Sequence, residues 1–134
     1  MVINLSVQNS IISQWMHELR SVDVQGDRMR FRFNMHRLGM MAAYEISKQL
    51  TYEEQSVTTP MGEAQVSVLK EQPVAATILR AGIPLHEGLL EVFDQADCSF
   101  VAAYRKHRRD GSFEIEQNYV TCPPLDGRIL LMAD

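Results

Sequence analysis

The stretch Ala76–Pro84, Ala-Thr-Ile-Leu-Arg-Ala-Gly-Ile-Pro, limits the folds open to this chain more than any other, because an apolar strand there ends abruptly on an arginine, a small residue and a glycine. An apolar run of this length bounded by turn residues reads as a strand buried in a sheet. Pro84 suits the first turn of a following helix, where its missing N–H costs nothing. Strand, glycine turn and helix in succession open an α/β unit. In open α/β sheets the residues just past a strand's carboxyl end face the crevice where ligands bind, and Arg80 stands at that point. Gly82 takes side-chain bulk away from the backbone there, so that N–H groups can approach an anion. Two readings stay open: Arg80 docks an anion, or it is the solvated arginine of an ordinary strand-to-helix turn.

The rest of the chain fits around this unit. Residues 9–20 carry Ile12, Trp15, Met16 and Leu19 at helical spacing, with Asn9 or Ser10 available as the cap. A longer helix is predicted from about 28 to 50, its apolar face traced by Phe31, Met35, Leu38, Ala42, Ile46 and Leu50. Arg28, Arg30, Arg32, His36 and Arg37 near its start form either a solvated face or a site for an effector's phosphate. Residues 53–69 change period, and two strand-like runs flanking Pro60–Glu63 predict a β-hairpin. A two-stranded ribbon is marginal alone, so it is expected to lie against the body or against a second subunit, as a dimerisation arm. Then come a strand at 73–79, a helix of about ten residues from Pro84, a strand at 98–104, a polar turn Arg108–Gly111 and a half-exposed strand at 113–120. The last run, Ile129–Asp134, reads as a buried strand that reaches an acid and stops. The expected architecture is α/β, a mainly parallel sheet flanked by helices, with a protruding hairpin arm. The expected organisation is a helical segment at 1–50, the arm at 53–69 and the start of a core sheet at 73–134. Because the last strand needs further neighbours, the chain is expected to be part of a larger domain.

Composition narrows the function. A net charge of −4 argues against a general nucleic-acid or anionic-membrane binder, since neutralising many phosphates needs a basic excess. Cys98 and Cys122 lie far apart with no CxxC pattern, so neither a zinc site nor a disulfide framework is suggested. Residues 1–25 lack the layout of a secretory signal, and no apolar stretch reaches membrane-spanning length. An intracellular, cytoplasmic protein is expected.

Parallel strands share a direction, so their carboxyl ends share an edge, and Arg80, Arg105 and Asp134 are expected along it. Two guanidinium groups hold phosphate oxygens through paired N–H donors. A carboxylate accepts hydrogen bonds from sugar hydroxyls or orients a hydrated magnesium ion. The combination suits a phosphorylated sugar. Arg105 also belongs to the basic run Arg105–Arg109, whose plain reading is a solvated turn, and Asp134 read plainly is a polar terminus.

The segments Ile78–Pro84, Glu87-Gly88-Leu89-Leu90-Glu91, Tyr104-Arg105, and Pro123-Pro124 with Asp126-Gly127-Arg128 before the strand ending at Asp134 resemble the uracil phosphoribosyltransferase family. Arg37-Leu38-Gly39 with Ala43-Tyr44-Glu45 resembles that family's long N-terminal helix, and the likeness spans roughly residues 28–134. The resemblance implies a type I phosphoribosyltransferase fold and transfer of phosphoribosyl from 5-phosphoribosyl 1-diphosphate (PRPP) to uracil, giving UMP and pyrophosphate in pyrimidine salvage. It implies that Arg80 with loop residues Ala81 and Gly82 contacts the pyrophosphate, that Arg105 closes on it from a hairpin, and that Asp134 binds the ribose hydroxyls. Asp134 matches the first residue of the family's PRPP motif, Asp-Pro-Met-Leu-Ala-Thr-Gly. Magnesium bound with PRPP and a homodimer through the 53–69 hairpin are implied as well. No uracil-binding residue and no covalent nucleophile are assigned, and the isolated 134 residues are expected to be inactive. The sequence departs from the family pattern at Lys106–Arg109, where an acidic stretch is common, and at His86, where an apolar residue is common. His86 is read as a residue of the helix surface. Two other classes are weighed against the enzyme: a non-catalytic nucleotide- or PRPP-sensing regulator of the same fold, and an interaction protein that uses the hairpin.

Overall fold

The computed structural model describes residues 2–108 and 110–134. Helices α1 (Ile11–Arg20) and α2 (Arg28–Ser47) precede a hairpin of β1 (Tyr52–Thr59) and β2 (Gly62–Leu69). Strand β3 (Val74–Leu79), helix α3 (Ile83–Val92), β4 (Asp97–His107), β5 (Phe113–Thr121) and β6 (Leu130–Ala133) complete the order. The second sheet runs β5-β4-β3-β6, with β3 parallel to both β4 and β6 and β5 antiparallel to β4. This is the expected mainly parallel core with an antiparallel excursion. Val74, Ala75, Ala76 and Thr77 of the central strand are fully buried, which is why that segment reads as an unbroken apolar run.

Both leading helices start on side-chain caps. Ser10 accepts from the amide of Ile12, and one carboxylate oxygen of Asp27 accepts from the amides of Met29 (3.1 Å) and Arg30 (3.0 Å), satisfying donors that the first helical turn leaves free. The two helices are tied by a polar cluster around a buried asparagine. Asn34 is fully buried; it donates to Glu18 (2.8 Å) and accepts from Arg37 (3.0 Å). Gln14 (3.2 Å) and Arg30 (3.3 Å) also donate to Glu18. Hydrogen bonding to its charged form, from Asn34 first, holds the Glu18 carboxyl down to about 2, below the ordinary 4.5.

The face of α2 differs from the expected stripe. Asn34, Gly39 and Ala43 are its buried positions, whereas Met35, Leu38, Ala42 and Ile46 are half-buried, Phe31 is 40% exposed and Leu50 lies beyond the helix end. The cause is the crossing with α3, where the two backbones meet at Gly39 and Gly88. A β carbon on Gly88 would stand 2.9 Å from the Gly39 Cα. A contact made of glycines carries no hydrophobic signal.

His86 is also corrected. It is 3% exposed rather than on the helix surface, with its Nε2 3.1 Å from the Ala75 carbonyl oxygen and its ring edge-on to Phe100 at 5.3 Å between centroids. His86, Leu89 and Phe93 form the buried line of this segment, and the strand carbonyl satisfies the imidazole nitrogen that burial removes from water.

The hairpin closes on Pro60–Met61, with Thr59 opposite Gly62 and Gly62 at φ +123°. Leu69 at its root packs against the core. Along its length it lies beside no other helix or strand of the described residues.

Candidate active site

Register places Arg80 and Asp134 along one edge of the sheet, with Arg105 beyond it on the strand between β3 and β5. Leu79 pairs with Ala102 and Thr77 with Ala133, so Arg80 leaves the end of β3 while Asp134 leaves the neighbouring end of β6. Arg105 lies three residues past Ala102, about 10 Å further along at ordinary strand rise. It is not in a turn, as the basic run suggested, because β4 continues to His107 and pairs with β5 as a ribbon beyond the sheet edge. An irregularity at Ala102/Ala103 interrupts that register, as a bulge does where a strand is bent and re-aimed.

The basic run divides by partner. Lys106 meets Glu116 at 3.0 Å and Arg108 meets Glu114 at 2.7 Å across the ribbon, while Arg109 lies outside the described residues. Arg105 instead lies over the Phe113 ring, 5.0 Å from its centroid, and pairs with no carboxylate among the described residues. The residue is exposed. Arg80 is exposed and has no carboxylate partner among the described residues either. It borders a hollow of about 450 Å³ whose walls include Arg32, Phe33 and His36 of α2 and Glu87 of α3. Arg105 and Asp134 do not line that hollow. The structure thus brings Arg32 and His36 beside Arg80, a neighbourhood that a reading of α2 by itself does not supply; His36 is 3.1 Å from Glu91.

The loop between β3 and α3 begins with a cis peptide at Leu79–Arg80. The amides of Gly82 and Ile83 bond back to the carbonyls of Ile78 (3.2 Å) and Arg80 (3.3 Å), so the loop itself uses them. Gly82 is buried, and a β carbon there would overlap the Thr77 hydroxyl and stand 2.6 Å from the Ala133 carbonyl oxygen. The glycine is therefore required by packing between this loop and the end of β6, a role separate from approach to an anion. Among the described residues no helix is long and apolar enough to cross a membrane.

A family model described as uracil phosphoribosyltransferase matches residues 6–130. A Porphyromonas gingivalis (strain ATCC 33277) protein named uracil phosphoribosyltransferase is 44% identical over 133 residues, covering 99% of this chain and 62% of its own length. One of the same name from Pyrococcus furiosus is 37% identical over 116 residues, covering 85% of this chain and 48% of its own. The solved structure of the AQ2163 protein from Aquifex aeolicus superposes with a TM-score of 0.82 at 29% identity, over 100% of this chain and 62% of that one. The chain thus spans less than two thirds of the length of these relatives. With an arginine–glycine loop at the end of a buried parallel strand, a second arginine on the adjoining ribbon and a family match over nearly all its residues, the chain belongs to the uracil phosphoribosyltransferase family.

Proposed function

We propose that the protein transfers the phosphoribosyl group of PRPP to N1 of uracil, giving UMP and pyrophosphate. The observation that carries the reading is the family match together with the strand-end edge that Arg80 and Asp134 share, with Arg105 on the ribbon that continues from the same side. In this reaction the bond from ribose C1 to the diphosphate breaks as N1 bonds to C1, and the N1 proton leaves to solvent. Negative charge grows on the departing diphosphate while C1 becomes cationic. Preorganised guanidinium donors stabilise that growing charge, and Arg80 and Arg105 take this role. Asp134 accepts hydrogen bonds from the ribose hydroxyls and orients the sugar, and orientation supplies much of the remaining rate gain. Ala81 and Gly82 complete the pyrophosphate loop. No residue of this chain is assigned to uracil.

Asp134, the one carboxylate assigned here, would help orient a magnesium ion that arrives with PRPP, and the site would not need a protein cage for it. Among the described residues no three His, Cys, Asp or Glu side chains converge on a point. Bound with PRPP, the ion supplies charge neutralisation at the diphosphate. A substrate of such charge does not cross a bilayer unaided, which supports a cytoplasmic reaction.

The hairpin supports a homodimer. By its register Val57, Ala64, Val66 and Val68 share one face, while on the other Ser56 and Thr58 donate to Glu63. The valine-bearing face also carries Glu53 and Gln55, which hydrogen-bond to each other at 3.1 Å, and its Val57 and Val66 are exposed within this chain, which suits a second copy. The full-length protein, as its gene encodes it, is expected to form UMP from uracil, PRPP and magnesium. Absence of UMP under those conditions refutes the reading and favours the sensing regulator.

A further inference from the structure

We propose that Thr77 is a positioning residue: its hydroxyl sets the direction in which Asp134 leaves β6 and, through Gly82, anchors the Arg80 loop to the same point. The inference rests on the assignment of Asp134 to the ribose of PRPP. Thr77 is fully buried, and a buried hydroxyl requires a partner. Its Oγ1 donates to the carbonyl of Ala133 at 3.0 Å, while the Ile78 carbonyl, at 3.5 Å, is too distant to compete. Ala133 is the last residue of β6 and pairs with Thr77 in the parallel register. Its carbonyl shares a planar peptide unit with the amide of Asp134. A donor that holds this carbonyl therefore also fixes the plane from which the Asp134 Cα departs.

The second contact comes from the loop. Gly82 packs so closely on the hydroxyl and the Ala133 carbonyl that no β carbon fits between them. Arg80 lies two residues before Gly82, and the Gly82 amide is tied to Ile78 at 3.2 Å. One hydroxyl thus joins the central strand, the loop that carries an arginine and the strand end that carries the carboxylate. Valine at 77 keeps the shape and loses the donor, leaving the Ala133 carbonyl free to turn. Thr77 touches no reacting group in this scheme and acts through Asp134.

The test uses the full-length protein with Thr77→Val, Thr77→Ser, Asp134→Ala and the Thr77→Val/Asp134→Ala double variant. PRPP affinity is measured by titration calorimetry, beside steady-state kinetics and thermal midpoints. Thr77→Val is expected to weaken PRPP binding about tenfold, the scale of one buried hydrogen bond, and to leave the KM for uracil unchanged. Thr77→Ser keeps the hydroxyl and is expected to stay within about twofold of the parent. Once Asp134 is alanine, Thr77→Val is expected to cost little more, because effects that run through one group do not add. If the valine variant does not fold, Thr77→Cys against Thr77→Ser carries the same expectation, the pair differing in donor strength. Unchanged PRPP affinity in Thr77→Val, or in Thr77→Cys, beside weakened affinity in Asp134→Ala overturns the positioning role and leaves the site reading intact. A lowered thermal midpoint with unchanged affinity marks a structural role and overturns it equally. Unchanged affinity in Asp134→Ala removes the ribose assignment and this inference with it.

Discussion

Replacing Gly88 by alanine sets two forces against each other on one helix. Gly88 lies inside α3, where helix preference alone favours alanine over glycine by about 1 kcal/mol. Packing acts the other way. A β carbon at 88 would stand 2.8 Å from the Met40 amide nitrogen and 2.9 Å from the Gly39 Cα, and would overlap the His36 carbonyl. All three belong to the α2 backbone, so no side chain can rotate away and the helices must separate. Carbon contacts settle at about 3.5–4.0 Å, and a gap of roughly 1 Å forfeits up to about half of the attraction at each contact along the seam. Overpacking costs about 1–3 kcal/mol, and overlap between backbones puts this site at the upper end. With about 1 kcal/mol offset by helix preference, the net loss is about 2 kcal/mol. That corresponds to a fall in Tm on the order of 6 °C. Thermal unfolding of the full-length protein followed by circular dichroism measures it. Gly26→Ala is the control: nothing lies within 4 Å of a β carbon there, and its midpoint is expected to stay near the parent's. A Gly88→Ala midpoint equal to or above the parent's refutes the account, since that is the sign helix preference alone produces.

The Glu18 cluster predicts an acid dependence. Because the folded carboxyl titrates at about 2 rather than 4.5, its contribution is fully present above about pH 4.5 and fades as pH falls through 2. The difference in urea midpoint between parent and Glu18→Gln, read from Trp15 fluorescence, is expected to be constant at neutral pH and to vanish towards the acid end; a pH-independent difference contradicts this. Val66→Lys puts a charge among the exposed valines of the hairpin and is expected to convert a dimer to monomer in light scattering without changing the circular dichroism spectrum. An unchanged mass removes the arm from the interface. Arg105→Lys keeps the charge but loses the paired donors and the stacking on Phe113, so kcat/KM for PRPP is expected to fall by about tenfold or more. Parent-level kinetics would show that Arg105 does not grip the diphosphate.

What could be read from residues follows from what leaves a local trace. The β3 run, the hairpin turn and the cap at Ser10 are legible because each depends on neighbours in sequence: burial on both faces, a glycine after a two-residue turn, a side-chain acceptor before a helix. The contact between α2 and α3 is not legible, because its central residues are Gly39 and Gly88 and closeness of backbones leaves no hydrophobic period. His86 escapes for a related reason. Its helix reads Ile-Pro-Leu-His-Glu-Gly-Leu-Leu-Glu-Val, apolar enough on several sides that period does not decide which one faces the sheet, and the carbonyl that accepts its burial belongs to a residue eleven positions earlier.

The same distinction separates the parts of the site. Arg80 and Asp134 follow apolar strands, so parallel pairing alone puts them on one edge. Arg105 is harder, because β4 is carried past its apolar portion by cross-strand charges, Lys106 with Glu116 and Arg108 with Glu114, where a linear reading sees only a basic turn. Thr77 is harder still. As one threonine in an apolar strand it resembles filler, and its meaning depends on β6 lying alongside with Gly82 closing over the pair. Residues that would touch PRPP leave a chemical signature in the chain, whereas the residue that aims them does so through a carbonyl 56 positions away, a relation that exists only after folding.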